Sequence, residues 1–180
     1  SQITFPNHPL GWPTLGRPEV IKSLNRDDFT AYRESRYVPN NIVVSVAGNV
    51  QEDEVKQEFE RIFGDLPNHP VPPINKFLTS QKEPQVFLEE KKTEQAHFCL
   101  SLRGLSLFDE RRYALTLLNS VLGSGMSSRL FLNIREKGLA YSVGSMPDLA
   151  TETGALFVFA GFNVSRIDEA LNAIMAELRR

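Results

Sequence analysis

Apolar positions fall into distinct registers along the chain, and each register predicts an element. Phe29 and Tyr32 share a face after Asn25, which can cap a helix with Asp28 three residues on; the run reaches Tyr37 before Pro39 stops it. Ile42-Val43-Val44-Ser45-Val46-Ala47 is β-branched, almost continuously apolar and closed by Gly48-Asn49, the pattern of a central strand covered on both faces. Glu52-Asp53-Glu54 then forms an acidic first turn, Val55, Phe59 and Ile62 a helical face, and Gly64 an end. Further on, Gln85 to Glu90 reads as a strand. Ala96, Phe98, Leu100 and Leu102 alternate with His97, Cys99, Ser101 and Arg103, which predicts a strand with one buried face. A helix follows from about Asp109 through Tyr113, Leu117 and Val121, and Gly123-Ser124-Gly125 breaks it. A shorter helix carries Leu130, Phe131 and Ile134 and ends at Gly138. Tyr141 to Met146 and Ala155 to Phe162 predict a hairpin whose second strand is apolar enough for the middle of a sheet. Ser165 with Asp168 opens a last helix with Ile167, Leu171, Ile174 and Leu178 on its apolar face.

Prolines punctuate this pattern. Pro6, Pro9, Pro13 and Pro18 make the opening residues irregular, and Pro67, Pro70, Pro72, Pro73 and Pro84 mark an extended, semi-stiff connection. The chain therefore reads as αβα over residues 1–67, a linker over 68–84, and ββααββα over 85–180. Paired strands interleaved with helices predict an α+β class, with layers of helices on antiparallel or mixed sheets and two partial subdomains. The first residues read as loop and the last as helix, so the chain is expected to be a piece of something larger.

Composition narrows the function classes. The 180 residues are 41% hydrophobic and 23% charged, with a formal charge of -2, which excludes disordered and fibrous classes. No block of five like charges offers a footprint for nucleic acid or an anionic membrane, and no apolar run approaches bilayer thickness. The single cysteine, Cys99, cannot form an internal disulfide and is expected to be a buried, inert strand residue.

Candidate chemistry is sparse. His8 and His69 sit beside prolines, and Glu94 would point to the opposite strand face from His97, so no metal ligand set is assigned. Gly123-Ser124-Gly125 lacks the lysine of a phosphate loop and the preceding strand of a dinucleotide fingerprint, and reads as a tight interhelical turn capped by Ser127 or Ser128. No G-x-S-x-G elbow is present to activate a serine. What remains is Arg135 and Tyr141. A forked guanidinium and a phenol can together orient a polar substrate; equally, Arg135 can pair with a nearby carboxylate and Tyr141 can be a half-buried strand aromatic.

Two stretches carry a family likeness. Leu122-Gly123-Ser124-Gly125-Met126-Ser127-Ser128-Arg129-Leu130-Phe131, continuing from Ile134-Arg135-Glu136-Lys137-Gly138 to Leu139-Ala140-Tyr141-Ser142-Val143, resembles a signature of the insulinase or pitrilysin zinc peptidases, which include the mitochondrial processing peptidases. His8-Pro9-Leu10-Gly11, Tyr37-Val38-Pro39-Asn40-Asn41, Ala47-Gly48-Asn49-Val50 and Phe63-Gly64-Asp65-Leu66-Pro67 follow the same family's order of elements. The resemblance implies two related α+β halves closing like a clamshell around an unfolded peptide, with this chain spanning the end of the first half and the start of the second. It implies zinc in the parent protein or a partner. The family's H-x-x-E-H motif is absent from this sequence, so the resemblance assigns it no metal or catalytic residue. It does carry over Arg135 and Tyr141 as substrate contacts, with five residues between them where many relatives have one more. The implied partners are a peptide substrate and a missing half or homologous subunit, in a homo- or hetero-oligomer. An alternative within the resemblance is a non-catalytic homologous subunit that binds substrate or completes an active partner's clamshell.

Overall fold

The structure, a computed structural model, describes residues 2–78 and 81–180. It divides into two compact units, Pro13–Asn75 and a second made of Ser1–Trp12 with Lys76–Arg180.

In the unit Pro13–Asn75, α1 (Pro18–Ser23) forms where irregular chain was expected. Pro18 occupies the first helical turn, where its missing N–H has no intrahelical partner to lose. α2 (Arg26–Arg36) starts on the expected capping box: Asp27 N donates to Asn25 Oδ1 at 2.8 Å and Asn25 N to Asp28 Oδ2 at 2.9 Å. α3 (Glu52–Phe63) keeps its acidic first turn and stacks Phe59 on Phe63 at 5.4 Å. The proline-rich segment is tied to α2. His69 Nε2 donates to the Glu34 carbonyl at 2.8 Å, and Arg36 Nη1 to the Pro72 carbonyl at 3.1 Å.

The predicted strand over 42–47 does not form. The segment is unpaired, with Val43 96% exposed. Residues 85–90 behave the same way, with Val86 and Leu88 at 92% and 88%. A strand is a pairing rather than a local conformation, and neither segment has a neighbour to pair with among the described residues. Their apolar side chains are suited to a sheet surface that these residues do not supply.

The second unit holds the sheet. β1 (Gln95–Arg103), β2 (Ser142–Leu149) and β3 (Gly154–Asn163) form an antiparallel sheet in the order β1-β3-β2, with β3 central as its apolarity predicts. Alternation along β3 sends Leu156, Val158, Ala160 and Phe162 into the core. There they meet Leu122 of α4 (Arg112–Leu122), Leu130 and Ile134 beyond it, and Ala170 and Ile174 of α5 (Ile167–Arg179). The α+β class is thus realised with helices on one face of an antiparallel sheet.

Two short-range features set the helix positions. Asp109 accepts from Arg111 N at 2.9 Å and pairs with the Arg111 guanidinium, which holds its carboxyl down at about 2. At the far end of α4, a β-carbon on Gly123 would lie 2.5 Å from Ser145 N, so only glycine lets the helix end touch β2. Ser145 Oγ donates to the buried Asn119 Oδ1 at 2.7 Å across that contact. The serine caps differ from expectation. Ser128 Oγ donates to the Gly125 carbonyl at 2.6 Å, and Ser165 bonds Asn163 in a 3-10 turn ahead of α5.

The residues before Trp12 join this unit through Arg103. Its guanidinium donates to the Thr4 carbonyl and, at 3.1 Å, to Gln81 Oε1; it also lies 4.8 Å over the Phe77 ring and 5.8 Å over Phe5. Phe5 and Phe77 meet edge to face at 5.2 Å. A stretch read as part of 1–67 therefore packs with the later residues, because its anchors are aromatic and long-range.

Candidate functional site

Arg135 and Tyr141 bracket one tightly specified turn. The predicted second helix is a single π-helical turn, Phe131–Arg135, in which Glu136 N donates to the Phe131 carbonyl at 3.0 Å. It ends in a Schellman motif: Leu139 N donates to the Ile134 carbonyl and Gly138 N to the Arg135 carbonyl, each at 3.0 Å. Gly138 takes φ +68, the left-handed value this motif demands. Ile134 and Leu139 are both buried, giving the motif its apolar contact. Tyr141 N then donates to the Gly161 carbonyl at 2.7 Å and leads into β2.

Two arginines clamp this segment to α5. Arg129 Nε donates to Glu177 Oε2 at 3.0 Å and its Nη2 to the Glu177 carbonyl at 2.8 Å, in a largely buried pair. Arg166 Nη1 donates to the Gly138 carbonyl at 3.0 Å while its Nε holds Glu169 Oε2 at 2.9 Å. These bonds tie the backbone around the turn to the following elements.

The side chains at its ends are not engaged. Arg135 is exposed and makes no ion pair or side-chain hydrogen bond among the described residues, so the carboxylate-paired alternative is not what the structure holds. Tyr141 is 55% exposed and precedes the strand. Its hydroxyl has no partner among the described residues either. A forked cationic donor and a neutral donor on a rigid turn can grip a carbonyl or carboxylate and favour an oxyanion over it.

The histidines are dispersed. His8 accepts from Leu10 N at 3.3 Å and packs on Phe77, His69 serves α2, and His97 is exposed on β1. Among the described residues, no three His, Cys, Asp or Glu side chains group to hold a metal ion. Cys99, expected to be buried, is exposed on the open face of the sheet, because β1 is an edge strand and helices cover only its other side. Sequence reasoning missed Arg103, Arg129 and Arg166. Arg129 lies inside the stretch that carried the resemblance, but its partner is far along the chain and no local pattern announces it.

Comparison with known proteins gives a consistent picture. Residues 23–180 match the family described as "Peptidase M16 inactive domain". The chain is 38% identical over 188 residues to YmxG of Bacillus subtilis, an uncharacterized zinc protease, covering 100% of this chain and 44% of that protein. It is 37% identical over 181 residues to an uncharacterized zinc protease of Streptomyces coelicolor, covering 97% of this chain and 39% of the relative. Among solved structures, a peptidase M16 inactive domain from Pseudomonas fluorescens superposes with a TM-score of 0.83 at 20% identity, over 97% of this chain and 43% of that one. The chain thus spans less than half the length of these relatives.

Proposed function

Since the chain belongs to the peptidase M16 family through its inactive domain, we propose that it is part of a zinc-dependent endopeptidase that degrades or processes peptides, supplying chamber wall and substrate contacts. The observation that carries this reading is the pair of unengaged side chains, Arg135 and Tyr141, on a turn clamped at both ends. Arg135 offers parallel N–H donors to a peptide carbonyl, and Tyr141 offers one more. Both groups gain most where negative charge develops on that oxygen, so they would orient and stabilise the reacting carbonyl. The described residues have no ligand set that fits zinc, which when held elsewhere by H-x-x-E-H and a distal glutamate supplies an activated water. The exposed apolar segments 42–47 and 85–90 then pair with strands from the missing half or from a homologous subunit.

A second reading keeps the same contacts without catalysis in the parent chain: a homologous subunit that binds peptide and completes an active partner's clamshell. The matched domain is described as inactive, and both readings accommodate that description.

Reconstitution tests both. The chain alone is expected to hold no stoichiometric zinc and to cleave nothing. Adding the half that carries H-x-x-E-H, from the same gene or from a neighbouring one, should give one zinc per complex and peptide cleavage. Which gene supplies it separates the two readings. Cleavage with one tightly held zinc in the chain alone would overturn both.

A further inference from the structure

One later segment holds the backbone between Arg135 and Tyr141. Arg166, the last residue of the 3-10 turn Val164–Arg166 that leads into α5, donates from Nη1 to the Gly138 carbonyl at 3.0 Å. Tyr141 N donates to the Gly161 carbonyl at 2.7 Å, and Leu139 and Ala140 in between are buried. Positions 138 and 141 are thus both bonded to the stretch from Gly161 to Arg166. Glu169 holds the other side of the same guanidinium: its Oε2 accepts from Arg166 Nε at 2.9 Å and lies 2.8 Å from Nη2, which leaves Nη1 for the turn. The peptide unit joining Gly138 to Leu139 is therefore gripped on both sides, its N–H by the Ile134 carbonyl at 3.0 Å and its carbonyl by Arg166. Packing adds little there, because a β-carbon on Gly138 would meet nothing within 4 Å.

We propose that Arg166 is a positioning residue for the substrate contacts: its hold on the Gly138 carbonyl sets the direction in which Arg135 and Tyr141 present their donors. The proposal rests on the peptide-chamber reading and adds to it a residue that does not itself touch the peptide. Arg135 is coupled to the gripped unit through its own carbonyl, which accepts from Gly138 N at 3.0 Å, and Tyr141 follows Gly138 by only three residues. A turn at φ +68 with open space beside it has room to shift once one of its two grips is lost. Donors aimed at a developing charge lose most of their value when displaced, about 100-fold for an error near 1 Å. Loss of one grip out of two moves the turn less than that, so a smaller effect is expected. The other clamp, Arg129 to Glu177, lies ahead of the π-helical turn and secures its entry rather than its exit.

The test is a double-mutant cycle in the reconstituted peptidase. Arg166→Ala is expected to lower kcat/KM about tenfold, through the same parameter, kcat or KM, that Arg135→Ala changes. In a background of Arg135→Ala with Tyr141→Phe the same substitution should cost less than twofold, since nothing is left for Arg166 to aim. Arg166→Lys keeps a cationic donor for the carbonyl and should recover part of the loss. In the purified chain, Arg166→Ala should speed hydrogen exchange of the Leu139 amide and leave the β3 amides unchanged. Should Arg166→Ala not fold, Glu169→Gln, at an exposed position, loosens the guanidinium and should give the same pattern in smaller measure. A full tenfold loss in the doubly substituted background, or no loss from Arg166→Ala where Arg135→Ala is damaging, overturns the positioning role and leaves the chamber reading standing. Silence of Arg135→Ala and Tyr141→Phe themselves overturns both.

Discussion

Replacing Arg135 by alanine is expected to lower kcat/KM of the reconstituted peptidase by about 100-fold or more, the scale of losing one oxyanion donor. The side chain is exposed and unpaired among the described residues, so its removal should leave folding stability within about 0.5 kcal/mol of the original. That separation makes the test sharp, because structural damage cannot imitate the loss. Arg135→Lys keeps the charge but not the fork and should recover only part of the activity. Tyr141→Phe removes one neutral donor and should cost less than the Arg135 change. A fall confined to kcat would place the interaction in the transition state, whereas a rise in KM alone would make Arg135 a grip on the peptide. Loss of less than threefold in steady-state assays would remove Arg135 from the substrate's path.

The largest effect on stability is expected at Phe162. It lies on the central strand, 2% exposed, with its ring 6.4 Å from Phe98 and the aliphatic side chains of the helical layer around it. Phe162→Ala should cost about 3–5 kcal/mol in urea unfolding followed through the sheet amides, about a fifth or more of a typical domain's stability. Phe159→Ala, on the same strand but facing outward and 43% exposed, should cost less than about 1 kcal/mol. Equal costs would mean that the open face is packed in solution, contrary to the one-sided burial described above.

The contrast between these phenylalanines also shows what the sequence made legible. Period-two alternation around Phe98 and the apolar run through Phe162 identified β1 and β3 and the central place of β3, because those signals reflect burial supplied within the unit. The capping box at Asn25 and the turn at Gly138 were readable for the same reason: their hydrogen bonds close within a few residues. The run at Ile42 to Ala47 misled, since a strand needs a neighbour to pair with and the described residues supply none. The clamps Arg129 to Glu177 and Arg103 to Thr4 were invisible, as bonds spanning 48 and 99 positions leave no local trace. Arg135 and Tyr141 stood out by their donors, with a purely structural reading open beside the functional one until the family signature was set against them. Spacing alone could not say that the turn between them is clamped or that Arg135 lacks a carboxylate.

The most direct measurement places a photoreactive benzoylphenylalanine at position 141 in the reconstituted complex and follows label from a bound, unfolded peptide. The account predicts transfer of the peptide to residue 141 upon irradiation, competed by unlabelled substrate and weakened by Arg135→Ala. Capture of only the complex's own segments, with the peptide left unlabelled while cleavage proceeds normally, would contradict it.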